Sequence, residues 1–153
     1  MPKGILKNCT VCHKETNCCC DFNTIDFPIL SNDEYEFLVN TLKVDTNNFL
    51  PVDNGCFNLV AINGICPFYK KKCTIYKNRP NDCKLFPFDI KNIDGKYYLV
   101  LYNLDCCKHK DMLNENVDDV VNSIKPYINT FTDKKLNLNM DNLDYTTIKE
   151  IIV

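Results

Sequence analysis

The stretch CTVCHKETNCCC, Cys9–Cys20, places five cysteines within twelve residues of a 153-residue chain. The whole sequence contains 11 cysteines, more than packing alone requires. The start MPKGILKNC lacks the apolar core of about 7 to 15 residues found in secretory signals, so we expect a cytoplasmic location. In a reducing compartment, dense cysteines are more often metal-binding or catalytic than a disulfide framework. The stretch therefore predicts a metal centre that organises the fold.

Composition favours a single soluble domain over residues 1–153. Apolar residues make up 45% of the chain and charged residues 25%, which are ordinary values for a globular protein. No apolar run approaches the ~20 residues that a membrane helix needs. The formal net charge is −2 and the lysines are spread along the chain, so nucleic-acid binding is not expected. We therefore expect neither a membrane nor a nucleic acid as partner, and the sequence identifies no protein partner.

Helix and turn signals lie between the cysteine groups. Ser31 and Glu34 have the spacing of a capping box and predict a helix over residues 31–43. Residues 57–62 alternate as in a strand, and Asn63-Gly64 is a strong turn signal directly after them. These patterns predict that a turn delivers Cys66 to the metal centre.

A hairpin is predicted further along the chain. Asp94-Gly95 is the expected tip, and the β-rich segment over residues 97–102 is the expected return strand. That strand leads to Cys106 and Cys107. The predicted fold class is therefore α+β, with short hairpins and helices arranged around a cysteine-ligated centre.

The C-terminal tail over residues 111–153 is predicted to be helical. Apolar residues over 117–131 recur at helical spacing, and Pro126 is expected to kink or split that helix because proline lacks the N–H donor. A last short helix is predicted over residues 145–152 with Asp144 as its cap. The motif region is thus expected to cover about residues 9–107.

The spacing of the cysteines fits neither common template. Structural zinc sites usually contain two close pairs with two to four residues between the ligands, and only Cys9 and Cys12 have that spacing. The intervals that separate Cys66, Cys73 and Cys83 are too long for a second pair. The ligand run of bacterial ferredoxins is also absent.

The consecutive residues Cys18, Cys19 and Cys20 indicate more than one metal or a polynuclear cluster. Adjacent side chains diverge in extended backbone, so they converge on one ion only in a tight loop. Gathering thiolates without a cation would be unfavourable because of repulsion and desolvation. Cys56, next to a predicted strand, is instead expected to be a small buried apolar residue.

Arg79 lies in the segment KNRPNDC, where it is the only arginine of the chain. Four thiolates on Zn²⁺ or on a [4Fe–4S]²⁺ cluster leave a net charge of −2, which a guanidinium could offset; a surface ion pair is the alternative. Pro80 is expected to fix a turn, after which Asn81 or Asp82 could cap a short helix that carries Cys83.

The run CPFYKKKCTIYKNRPNDCKLFPF, Cys66–Phe88, together with the earlier CTVC and CC pairs, resembles the YkgJ family of CxxCxxCC proteins, described as zinc- or iron-chelating domains. With Cys106 the resemblance spans about two thirds of the chain. It implies metal binding through these cysteines, and the domain also occurs in flagellin lysine methylases. Whether Cys18-Cys19 or Cys19-Cys20 matches the family's adjacent pair is open.

Our first hypothesis is a metal-binding protein that holds an iron–sulfur cluster, most simply [4Fe–4S]. A larger cluster or a second metal is a further form of the same hypothesis. The alternatives are a structural Zn²⁺ interaction module and an accessory component of a methyl-transfer enzyme. No catalytic residue is predicted, and with four glycines the chain has no glycine-rich nucleotide loop. The candidate metal ligands are Cys9, Cys12, Cys18, Cys19, Cys20, Cys66, Cys73, Cys83 and Cys106.

Overall fold

Two small antiparallel sheets form the framework of the computed structural model, which describes residues 20–22, 27–52, 55–104, 117–125, 128 and 144–153. The strands are β1 (Ile29–Leu30), β2 (Phe49–Val52), β3 (Cys56–Leu59), β4 (Phe88–Ile93), β5 (Lys96–Tyr102) and β6 (Tyr145–Ile151). The first sheet has the strand order β1-β3-β2 and the second the order β4-β5-β6. Together with short helices, these sheets form a small α+β domain, as the sequence predicted.

The α-helices within the described ranges are α1 (Asn32–Glu36), α2 (Asn81–Leu85) and α3 (Val117–Ile124). The predicted capping box is confirmed, because Ser31 Oγ accepts from the Glu34 backbone N–H and Glu34 Oε2 accepts from the Ser31 backbone N–H. The helix continues beyond α1 as a π-helical turn over Phe37–Thr41. It is therefore slightly shorter than the predicted helix over residues 31–43.

Both predicted two-residue turns are confirmed. Asn63 and Gly64 have φ values of 51° and 79°, and Asp94 and Gly95 have 52° and 82°. Positive φ at both central residues is the geometry that suits the twist of a hairpin, and Asn-Gly and Asp-Gly adopt it readily. The strand β3 ends before the first of these turns, at Leu59, so the predicted strand over residues 57–62 is only partly formed.

The helix predicted over residues 145–152 is wrong, because this segment is the edge strand β6. It pairs antiparallel with β5, and a β-bulge interrupts the register between Leu99 and Val100. The bulge inserts Ile148 as an extra residue, which breaks the alternation of the strand. Ile148 and Ile151 pack against one core cluster and Tyr145 against the other, although their spacing of three in the sequence resembles that of a helix.

The prediction of a helix over residues 117–131 is confirmed only as far as α3 extends, since that helix ends at Ile124. Pro126 lies outside the described residues, so its predicted kink stays a prediction. No helix that the structure describes is long and apolar enough to cross a membrane.

Two clusters of buried side chains form the core. The first contains Cys20 and Cys66, and the second fills the space between the β4-β5-β6 sheet and α3. Alternate residues of β5 point to opposite sides, so this strand contributes to both clusters. The first cluster is Cys20, Phe22, Leu30, Leu38, Phe49, Leu59, Cys66, Phe68, Tyr102 and Leu104, and the second is Leu85, Phe88, Ile90, Leu99, Leu101, Val120, Val121, Ile124, Ile128 and Ile151.

Candidate functional site

Two candidate ligands, Cys20 and Cys66, are joined by a backbone hydrogen bond beside the bridge between Asp21 and Ile65. The Cys66 N–H donates to the Cys20 carbonyl at 2.8 Å, and the Phe22 N–H donates to the Gly64 carbonyl at 2.7 Å. These two bonds flank an antiparallel bridge. Both cysteines are buried, with 6% and 8% of their surface exposed. The Asn-Gly turn thus delivers Cys66 to the end of the opening cysteine cluster.

The hydrogen bond brings the backbones of two buried cysteines, Cys20 and Cys66, side by side in the first core cluster. Two thiolates on one tetrahedral zinc ion lie about 3.8 Å apart, given Zn–S bonds of about 2.3 Å. Two neighbouring thiols therefore have the chemistry that two ligands of one site need.

Cys73 is connected to Cys66 by a compact pair of turns. The Tyr69 N–H donates to the Cys66 carbonyl at 3.0 Å, and Tyr69 forms an antiparallel bridge with Cys73. The carbonyl of Phe68 accepts from both the backbone N–H and the hydroxyl of Thr74, each at 2.9 Å. These bonds fix the path of the chain between the two cysteines and leave Cys73 partly exposed.

Cys83 lies on α2, which confirms the short helix predicted there. The predicted cap is wrong, because the residue at the N-cap is Pro80 and neither Asn81 nor Asp82 occupies that position. The Asp82 carboxylate instead accepts a hydrogen bond from the Ile29 N–H at 2.8 Å. This hydrogen bond connects α2, which carries Cys83, to β1 of the first sheet.

The first turn of α2 receives its acceptor from a distant residue. Glu34 Oε1 accepts from the Asn81 N–H at 2.6 Å, while Glu34 Oε2 accepts from the Ser31 N–H at 2.8 Å. One carboxylate therefore binds backbone donors at the beginnings of two helices. The sequence indicated only the local half of this arrangement, since the second half depends on tertiary contact over 47 positions.

Arg79 is buried, with 7% of its surface exposed. Its guanidinium stacks on the ring of Tyr76 at 3.9 Å, and its Nη1 donates to the Tyr76 carbonyl at 2.6 Å. This burial argues against the predicted surface ion pair. Burial first, and then the charge of Arg79, lower the pKa of Lys84, while Glu34 and the thiol of Cys83 act in the opposite direction.

Asp89 is a buried carboxyl on the side of β4 that faces away from the second core cluster. Burial, and next the charge of Asp82, raise the pKa of Asp89 to about 6. Hydrogen bonds from the Tyr102 hydroxyl and from the Ile90 N–H oppose this shift, as does the charge of Lys91. The carboxyl group thus accepts two hydrogen bonds, yet its ionised form is less stable than that of a solvent-exposed aspartate.

Lys91 is also buried, with 4% of its surface exposed. Its ammonium lies 4.9 Å from the ring centre of Tyr145 and 5.9 Å from that of Tyr102. Both distances fall within the range of a cation–π contact. Lys91 thus connects the edge strand β6 with β5 through two aromatic rings.

Five candidate ligands lie outside the described residues: Cys9, Cys12, Cys18, Cys19 and Cys106. Leu104, two positions before Cys106, belongs to the same core cluster as Cys20 and Cys66. Cys56 is buried in β3, as expected for a small apolar residue. Within the part of the chain that the structure describes, no three histidine, cysteine, aspartate or glutamate side chains are grouped so as to hold a metal ion.

Comparisons with protein-family models, curated proteins and solved structures found no match to this chain.

Proposed function

We propose that the protein is a cysteine-rich metal-binding protein that holds an iron–sulfur cluster, most simply [4Fe–4S]. The observation that carries the proposal is the pair of buried cysteines, Cys20 and Cys66, whose chain segments are joined by a backbone hydrogen bond. A metal site needs converging thiolates, and this pair joins the cluster at the beginning of the chain to the Cys66–Cys83 segment. The excess of thiols over any zinc pattern favours iron and sulfide.

The surroundings of the cysteines support the binding of an anionic cluster. Four thiolates on a [4Fe–4S]²⁺ core leave a net charge of −2, which buried surroundings destabilise unless positive groups lie nearby. Arg79 lies between Cys73 and Cys83 in the sequence and is buried in the structure. Lys84, next to Cys83, interacts electrostatically with it. These cations would lower the free energy of a bound anionic cluster.

The alternative is a structural Zn²⁺ site without a redox function. Neighbouring thiols suit a tetrahedral ion, and zinc needs no sulfide delivery. In that case the metal would connect the chain segments that carry Cys20 and Cys66. The protein would then serve as an interaction module.

Metal analysis under anaerobic conditions separates the two proposals. The protein is purified natively without oxygen, and iron, zinc and acid-labile sulfide are quantified with an absorption spectrum. We expect a brown protein with iron and sulfide in similar amounts, about four of each per chain for a [4Fe–4S] cluster. Colourless protein without sulfide contradicts the iron–sulfur proposal, and stoichiometric zinc in its place would establish the alternative.

A pair of matched variants tests the ligands. Cys66→Ala removes a candidate ligand, whereas Cys56→Ala removes a similarly buried cysteine from β3; the exposed fractions are 8% and 5%. The loss of packing should destabilise each variant by about 1 kcal/mol, and Cys66→Ala should lose further stability together with its metal. Only Cys66→Ala should lose most of its metal. Equal metal loss in both variants would indicate a general folding defect and would contradict Cys66 as a ligand.

A further inference from the structure

The charges of the chain are distributed unevenly around the candidate site. Residues 55–81 contain four lysines and Arg79 but no aspartate or glutamate. The segment therefore carries a charge of +5, and because the whole chain has −2, the remaining residues carry −7. The same segment contains Cys66 and Cys73. Residues 55–81, which include two candidate ligands, are thus strongly positive in an otherwise acidic protein.

The four lysines of this segment are all exposed, and we call them the basic loop: Lys70, Lys71, Lys72 and Lys77. The Lys70 N–H donates to the Lys72 carbonyl at 2.9 Å, so the first three form the tip of the turn closed by Tyr69 and Cys73.

None of the four ammonium groups forms an ion pair with another described residue, whereas lysines elsewhere do. Lys96 pairs with Glu150 at 3.7 Å, and Lys149 pairs with Asp118. Exposed positive charge concentrated in one segment of an otherwise acidic chain attracts negative surfaces.

We propose that the basic loop is a docking surface for a protein partner with an acidic surface. Cys73 lies between Lys72 and Lys77 in the sequence, so the partner would approach this candidate ligand beside the lysines. Complementary charge increases the association rate and fixes the orientation of such a complex. The small area of four side chains suits a transient interface rather than a permanent one. This inference does not depend on which metal the protein binds.

The chemistry of the loop favours a protein over a nucleic acid. The only arginine, which would provide bidentate phosphate contacts, is buried on Tyr76. The charge of −7 on the remaining chain would repel an extended phosphate backbone, whereas a compact acidic patch can contact the loop alone. A membrane surface would meet the same repulsion.

Binding of a defined acidic peptide tests the proposal. An unstructured peptide of ten alternating glutamate and aspartate residues is titrated into isotopically labelled, metal-loaded protein. We expect amide shifts concentrated on residues 70–77 and an affinity that falls at least about fivefold when salt is raised from about 20 mM to about 200 mM. Duplex RNA and vesicles that contain anionic lipid are titrated in parallel.

Charge-matched variants provide the control. The test variant carries Lys70→Ser, Lys71→Asn and Lys72→Ser, with asparagine at the position where φ is +62° because asparagine tolerates that conformation. The control carries Lys43→Asn, where φ is +58°, together with Lys96→Ser and Lys149→Ser. Both variants lose three charges, so non-specific attraction decreases equally.

We expect the test variant to bind the peptide about tenfold more weakly than the control variant, the effect of losing three exposed ion pairs. Equal weakening in both variants, or shifts spread over all lysines, would overturn the proposal. Tighter binding of RNA or of vesicles at the same loop would overturn it too. Circular dichroism and metal content confirm that both variants are folded and loaded, so failure here is distinguishable from failure of metal binding.

Discussion

Asp89 is the buried group whose titration the structure links most directly to stability. Its carboxyl accepts hydrogen bonds from the Tyr102 hydroxyl and the Ile90 N–H, yet burial and the charge of Asp82 raise its pKa to about 6. Replacement by asparagine keeps the shape and an acceptor oxygen, and the Tyr102 hydroxyl can rotate to accept from the new amide. Asp89→Asn therefore removes the titration with little change in packing.

The direction of the effect follows from the two pKa values. In the unfolded chain Asp89 titrates at 3.8, and in the folded protein at about 6. Between these values the folded state keeps the proton that the unfolded state releases, so stability from this group is complete below about pH 4 and is lost as the pH rises to about 6. Two pH units correspond to about 3 kcal/mol of unfolding free energy.

Urea unfolding between about pH 4 and pH 7, followed by circular dichroism, measures this effect. Other carboxylates and the metal ligands also titrate, so the informative quantity is the difference between the wild type and Asp89→Asn. Relative to the wild type, the variant should gain about 3 kcal/mol across that range. Asp33→Asn, on the exposed first turn of α1, controls for the loss of one carboxylate. Parallel pH profiles for the wild type and Asp89→Asn would refute the reasoning.

Three further substitutions test other contacts by chemical unfolding. Glu34→Gln removes the charge and one of the two oxygens that accept from the Ser31 and Asn81 N–H groups, and it should lower stability by about 1 to 2 kcal/mol. The control Glu36→Gln, at an exposed position, should change stability by less than about 0.5 kcal/mol. Equal losses in the two variants would contradict the shared cap. Gly95→Ala should destabilise by about 1 kcal/mol through its positive φ alone, since the added Cβ meets nothing within 4 Å. Arg79→Lys should lower both stability and bound metal, because lysine cannot stack on Tyr76 and donate to its carbonyl together; unchanged values would exclude this contribution.

The turns and the helix start were predictable because their signals are local. Asn63-Gly64 and Asp94-Gly95 adopt the positive φ values that these dipeptides favour, and the capping box requires only two residues three positions apart. The strand β6 was not predictable from its own sequence. Its apolar residues occur at a spacing of three that resembles a helix, and the β-bulge that interrupts its alternation depends on the partner strand β5.

The candidate site also combines local and distant signals. The cysteine groups, the Asn63-Gly64 turn and the helix that carries Cys83 are evident in the sequence. The contact of Cys20 with Cys66 is not, because it is a tertiary contact between distant segments. Glu34 was missed as a support of α2, since a glutamate three residues after Ser31 already has a complete local explanation. A residue that satisfies one local pattern gives no sign of a second, distant contact.

The polar residues at the junction of the two sheets explain why the helix with Cys83 has a fixed position. Glu34 binds the Asn81 N–H, and Asp82 binds the Ile29 N–H, so α2 is held by the first sheet at two adjacent residues. The charge of Asp82 in turn acts on Asp89 in the second sheet. Buried polar groups must be satisfied, and these bonds exist in only one relative arrangement of the elements. Apolar packing alone would tolerate small displacements of α2, whereas this set of directional contacts fixes the backbone position from which the Cys83 thiol extends.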